Sequence, residues 1–199
     1  MLDLERVLQL IVDRVRDLAD AQYAALGILD AEGRALERFV TSGVSLARRR
    51  RTGDPRAAVR ARVPHISGTG LDGQPLDFGP DGPMAIVVLA HWCPQCQAEL
   101  PRIAQLIADG GVPEGVAVAG ISTAIDPVRP NFPPSAWFER ERWTQPTVHD
   151  DAESSALHAL GLNSFPGFVF VDAQGTVVVR LTGEIGVEQF RQVLASLAP

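Results

Sequence analysis

The stretch that most limits what this chain can become is Ala85-Ile86-Val87-Val88-Leu89-Ala90-His91-Trp92-Cys93-Pro94-Gln95-Cys96-Gln97-Ala98-Glu99-Leu100-Pro101. Its first part is a continuous apolar run rich in Ile and Val, which predicts a strand buried on both faces. From Leu100 the apolar residues Ile103, Ala104, Leu106 and Ile107 follow helical spacing, and Gly110-Gly111 stop it. The Cys-x-x-Cys therefore falls at a strand-to-helix junction, with Cys93 at or just before the first turn. Unpaired backbone N–H groups and the positive end of the helix dipole meet there, and both favour a thiolate. Cys96, one turn further in, is placed to close a short disulfide. Such an arrangement points to thiol–disulfide exchange. The alternative is half of a zinc site, but zinc takes four ligands and these are the only two cysteines. His65, His91, His149 and His158 have no knuckle-like spacing to a partner, so no metal and no cofactor is expected.

Trp92-Cys93-Pro94-Gln95-Cys96 after a buried strand resembles the thioredoxin superfamily. With Glu99 three residues after the second cysteine and Pro101 two further on, it resembles more narrowly the TlpA/ResA-like branch of thiol–disulfide oxidoreductases. The resemblance runs from about Ile66 to Leu197. It implies an α/β, thioredoxin-like fold with a central mixed sheet flanked by helices. It also implies a proline opposite the dithiol, and Asn163-Ser164-Phe165-Pro166-Gly167, just ahead of an expected strand Phe168–Asp172, supplies one at the family's cis-proline position. By that resemblance Phe165 offers its backbone to a substrate strand and Pro166 shields the sulfurs. Catalytic candidates are Cys93, Cys96 and Glu99, and substrate-binding candidates are Trp92, Phe165 and Pro166. Glu99 lies one turn beyond Cys96 on the same helix, where a carboxylate could take the proton of that thiol. A solvated helix-surface acid is the plain alternative.

Charge divides the chain into three. Residues 1–44 carry eight acids and five arginines (net −3), 45–62 one acid and seven arginines (+6), and 63–199 fifteen acids and six arginines (−9). The expected organisation follows: a helix–hairpin segment over 1–44, an Arg-rich linker over 45–62, and the redox domain over 63–199. An acidic main domain argues against nucleic-acid partners. Protein disulfides and a redox partner are the expected associates. The chain opens Met1-Leu2-Asp3-Leu4-Glu5 without a basic stretch before an apolar one, and it has no run of 18 apolar residues. A cytoplasmic protein without membrane contact is therefore expected, although the TlpA-like branch is often extracytoplasmic.

Leu4, Val7, Leu8, Ile11, Val15 and Leu18 predict an amphipathic helix over Asp3–Ala19. Strands at Tyr23–Leu29 and Leu36–Thr41 follow, turning at Asp30-Ala31-Glu32-Gly33. This opening resembles the start of a GAF domain over some forty residues, too short to enclose a ligand. Self-association through its helix stays open, as does a second reading of the protein as a non-catalytic, partner-binding regulator built around this piece.

Further on, the sequence predicts a hairpin (His65–Leu71 and Gln74–Phe78) and a strand over Gly115–Ser122. Four prolines then exclude helix up to Ser135, and a short helix follows over Ala136–Arg142. Trp137, Phe138 and Trp143 are packing residues or groove lining. A short strand at Thr147–His149 and a helix over Glu153–Leu160 come next. Strand Thr176–Leu181 and an amphipathic helix after Gly186 close the chain.

Overall fold

A computed structural model describes residues 7–11, 13–14, 24–29, 36–42, 62–79 and 81–198, with the backbone alone for 24–29 and 36–42. The chain divides into two compact units, Met1–Val59 and Arg60–Pro199. In the first, residues 7–11 and 13–14 are helical. Strands β1 (Ala24–Leu29) and β2 (Leu36–Ser42) pair antiparallel from Ala24↔Ser42 to Leu29↔Leu36. The rest of the expected helix, the turn at Asp30–Gly33 and the linker up to residue 61 lie outside the described residues. Arg62, expected as the linker's last residue, bridges Thr176, and the Val63 N–H donates to Gly175 O at 2.9 Å.

The second unit is built on a seven-stranded sheet of order β4-β3-β7-β6-β5-β8-β9. The hairpin β3 (Ile66–Gly70) and β4 (Pro75–Phe78) forms one edge. The central strand β5 (Met84–Leu89) is parallel to β6 (Ala117–Ser122), which is parallel to β7 (Thr147–His149). On its other side β5 runs antiparallel to β8 (Gly167–Val171), and β8 antiparallel to β9 (Val177–Thr182). The sheet is mixed, as the α/β expectation requires.

Side chains of successive strand residues point to opposite faces, and β5 uses both. Ala85, Val87 and Leu89 join Phe168, Phe170 and Val118 in one core, packed with residues of α1 (Pro94–Ala108) and α4 (Gly186–Leu197). Met84, Ile86 and Val88 join Val169, Val171 and Ile121 in the other, packed with Leu157 of α3 (Ser155–Ala159) and with Leu160 and Leu162. Every residue of β5 is buried. Helix α2 (Pro134–Arg140) adds Trp137 and Phe138 to the first core, and Trp143 follows. All three aromatics are buried, and Trp143 Nε1 donates to Thr147 Oγ1 at 2.7 Å; Phe138 and Trp143 also line a surface pocket with Leu71 and Arg142.

Helix α2 starts at Pro134, inside the stretch from which prolines were expected to exclude helix. A proline in the first turn gives up only an N–H that has no helical partner anyway. Helix α3 is shorter than expected because Ser154 sits at φ 56°, in the left-handed region. Its first turn is held instead by Asp150, whose Oδ1 accepts from Ala156 N (2.8 Å) and Oδ2 from Leu157 N (3.2 Å) and Thr123 Oγ1 (2.8 Å).

Candidate active site

The end of β5 delivers the dithiol. After Leu89 the chain makes a tight turn, Cys93 N donating to Ala90 O at 3.0 Å, and α1 begins at Pro94. Cys93 is the N-cap, with φ −74° and ψ 122°. Its Sγ accepts from Cys96 N at 3.4 Å, which satisfies one of the open amides of the first turn. Both cysteines are free thiols. Cys93 keeps 5% exposure and Cys96 none, so of the two only Cys93 reaches the surface. Cys96 Sγ lies against the Ala90 amide, which donates to it at 3.5 Å. Burial pushes the Cys96 thiol far above its ordinary value; the Ala90 amide opposes this and Cys93 adds to it.

Across from the dithiol, the Phe165–Pro166 peptide bond is cis, at the position expected for it. A second cis bond, Phe132–Pro133, was not expected. The Cys93 thiol points at the Phe165 carbonyl oxygen, 3.8 Å away. The Phe165 ring stands edge-on to Trp92, with centroids 5.4 Å apart and planes at 89°. Trp92 Nε1 donates to Ala124 O at 2.8 Å, and the Arg129 guanidinium sits 5.0 Å from the Trp92 ring centroid. The antiparallel pair Val88↔Gly167 joins the two halves, so Cys93, Cys96, Trp92, Phe165 and Pro166 assemble at one end of neighbouring strands.

Glu99 differs from its plain alternative. Its side chain is wholly buried, not a solvated surface acid. Oε1 accepts from Gly186 N, at the start of α4, at 3.0 Å. Oε2 is buried without a hydrogen-bond partner, 4.0 Å from Arg102 Nη1. Arg102 itself pairs with Glu184. Burial holds the Glu99 carboxyl above the usual carboxylate range, while the Gly186 and Ile185 amides pull it down. Among the described residues no three His, Cys, Asp or Glu side chains are grouped to hold a metal ion.

Sequence reasoning missed the segment from Ala124 to Asn131 as part of the site. Its prolines gave no helical or strand signal, and its contacts to His91 and Trp92 are more than thirty residues away in the chain. The one local clue was a histidine ending a buried apolar run.

A dithiol at a helix N-terminus, facing the carbonyl that precedes a cis-proline, on a mixed sheet with helices on both faces, defines a thioredoxin-like oxidoreductase. The chain belongs to the thioredoxin-like domain family, whose model matches residues 79–198. Solved structures share the fold. One is Mycobacterium tuberculosis DsbF in mixed oxidised and reduced forms (23% identity, TM-score 0.55, covering 71% of this chain and 98% of that one). A second is a secreted M. tuberculosis disulfide oxidoreductase homologous to E. coli DsbE (24%, 0.56, 66% and 96%). A third is a thioredoxin-family thiol:disulfide interchange protein from Chlorobium tepidum (21%, 0.58, 69% and 96%). A search of curated proteins gave no match. The GAF-like reading of the N-terminal segment finds no support in these comparisons, since the family match begins at residue 79. Among the described residues no helix is long and apolar enough to cross a membrane.

Proposed function

We propose that the chain reduces protein disulfides through Cys93 and Cys96, and that residues 63–199 suffice for it. The observation that carries this is the unequal pair: Cys93 caps the helix with its sulfur toward Phe165, and Cys96 is sealed behind it. Cys93, as thiolate, attacks one sulfur of the client disulfide. The client S–S bond breaks, a mixed disulfide forms on Cys93, and the other client sulfur leaves as a thiolate that takes up a proton. Cys96 then gives up its proton and attacks Cys93 Sγ. The second client sulfur departs with a proton, and the Cys93–Cys96 disulfide remains. Two electrons have passed to the client, and a dithiol redox partner returns the protein to its starting state.

Because burial opposes ionisation of Cys96, a base beside it matters. Glu99, three residues on and itself holding a carboxyl that burial disposes to accept a proton, is proposed as that base. Trp92, Phe165 and Pro166 form the client-facing rim, with the Phe165 backbone pairing to an extended client segment. A dithiol of this kind requires neither metal nor organic cofactor.

The test is trapping. With insulin as client, Cys96→Ser should accumulate a mixed disulfide on Cys93, and Cys93→Ser should show no turnover and no adduct. An adduct on Cys96 in the Cys93→Ser variant, with turnover retained, would refute the assignment.

A further inference from the structure

We infer that His91 is a positioning residue: its buried imidazole fastens the Ala124–Asn131 segment against Trp92, and that segment selects polypeptide disulfides for Cys93. This rests on the thiol–disulfide reading above and adds to it the element that determines specificity.

His91 has no exposure and stands two residues before Cys93. Its Nδ1 lies 2.7 Å from Pro130 O, an atom that can only accept, so Nδ1 carries the hydrogen. Its Nε2 lies 3.2 Å from Asp126 N, an N–H that can only donate, so Nε2 supplies the lone pair. One neutral tautomer satisfies both, and the ring spans the segment like a two-ended clip. The His91 carbonyl is held too, by Gln97 Nε2 at 3.1 Å and by Asn131 Nδ2 at 3.0 Å. Asn131, at φ 63°, is itself anchored by Arg140, whose Nη2 donates to Asn131 Oδ1 at 2.8 Å.

The next residue carries the fastening to the dithiol. Trp92 is bonded to Ala124 O and covered by Arg129, and its ring meets Phe165, whose carbonyl faces Cys93 Sγ. Releasing the segment from His91 therefore loosens Trp92 and one side of the client rim, while the Cys93–Cys96 turn keeps its own bonds to Ala90. The segment and the residue after it turn apolar side chains outward: Val128 is 88% exposed and Phe132, edge-on to His91, is 47% exposed. A polypeptide lying along Phe165 meets this surface, whereas a small disulfide reaches Cys93 without it.

The experiment uses the full chain and compares insulin with oxidised glutathione, with dithiothreitol as electron source. His91→Leu keeps apolar volume but removes both ring bonds. It should lower kcat/KM for insulin about tenfold, mainly through KM, and change that for glutathione by less than about twofold. His91→Asn, which can still donate to Pro130 O, and His91→Gln, which can still accept from Asp126 N, should each recover part of the loss. Hydrogen exchange at the Asp126 amide should accelerate in His91→Leu while β5 amides stay protected. Equal losses on both substrates, no recovery in either conservative variant, or unchanged exchange at Asp126 would overturn the inference. Should His91→Leu not fold, His91→Gln, which loses the bond to Pro130 O, is read on the same two substrates, and a smaller split of the same sign is required of it. If the wild type turns over neither disulfide, the oxidoreductase reading and the selection fall together, while the exchange data still report whether His91 holds the segment.

Discussion

Glu99→Gln separates the charge of a buried carboxyl from its hydrogen bond. In the wild type one oxygen accepts from the Gly186 amide at 3.0 Å, and the other has no hydrogen-bond partner and lies 4.0 Å from Arg102 Nη1. Burial raises the pKa of the group in the folded state. A folded carboxyl with a raised pKa binds its proton more tightly than the unfolded one. Its contribution to stability is therefore present at low pH, declines as pH rises past the unfolded value, and is fully lost above the folded value. Glutamine cannot ionise, keeps a carbonyl for Gly186 and places an amide where the unpartnered oxygen was. Near pH 4, about where a free glutamate is half protonated, the variant should lie within about 1 kcal/mol of wild type. Toward pH 8 it should gain on wild type by about 1.4 kcal/mol for every pKa unit separating the folded from the unfolded group. Glu99→Ala removes the acceptor for Gly186 as well and should lose about 1–3 kcal/mol at the low end of the pH range. Urea unfolding of reduced protein, followed by tryptophan fluorescence across this range, reads the difference directly. A stability difference between Glu99→Gln and wild type that is flat with pH, or that favours the variant at low pH, would refute the reasoning.

Other substitutions probe other joints. A Cβ on Gly120 would run into the Thr147 side chain, whose hydroxyl holds Trp143, so Gly120→Ala should lower urea stability by about 1–3 kcal/mol; an unchanged midpoint would show that β6 and β7 have room to part. In Cys93→Ser the remaining buried thiol should react with iodoacetamide at about pH 8 at least about tenfold more slowly than in urea, and equal rates would mean that Cys96 is open to solvent. Deleting residues 1–60 should leave insulin reduction within about twofold, because the dithiol and every contact described for it lie beyond Arg60; loss of folding or turnover would make the N-terminal unit integral.

What could be read from the sequence was whatever the chain writes locally. The apolar run into Trp92-Cys93 announced a strand buried on both faces, and β5 is one. The glycine pair after Ala108 announced the end of α1, which stops there. The place of Pro166 came from the family resemblance rather than from local pattern. Glu99 shows the limit: its place one turn beyond Cys96 follows from spacing, but its hydrogen bond from Gly186 N, 87 residues away at the start of α4, does not. No spacing rule reaches that far. Asp150 is similar, since its role in holding α3 depends on where β7 ends rather than on any capping pattern at Ser154. The segment around Asp126–Asn131 is irregular by sequence and ordered by His91, so its order could be seen only once the two were side by side.

The separation of 72 positions between Cys93 and Phe165 also sets an order of events in the life of the chain. Synthesis runs from the N-terminus, so both thiols are made long before the carbonyl that faces one of them and before β8, the strand that brings it there. The partners of β5 on both sides, β6 and β8, are likewise still to come. A nascent chain thus carries a dithiol beside Trp92 alone, without the Phe165–Pro166 half of the site. Cys93 meets the Phe165 carbonyl only when β8 docks, at which point the assembled pair reports that the domain around it is complete.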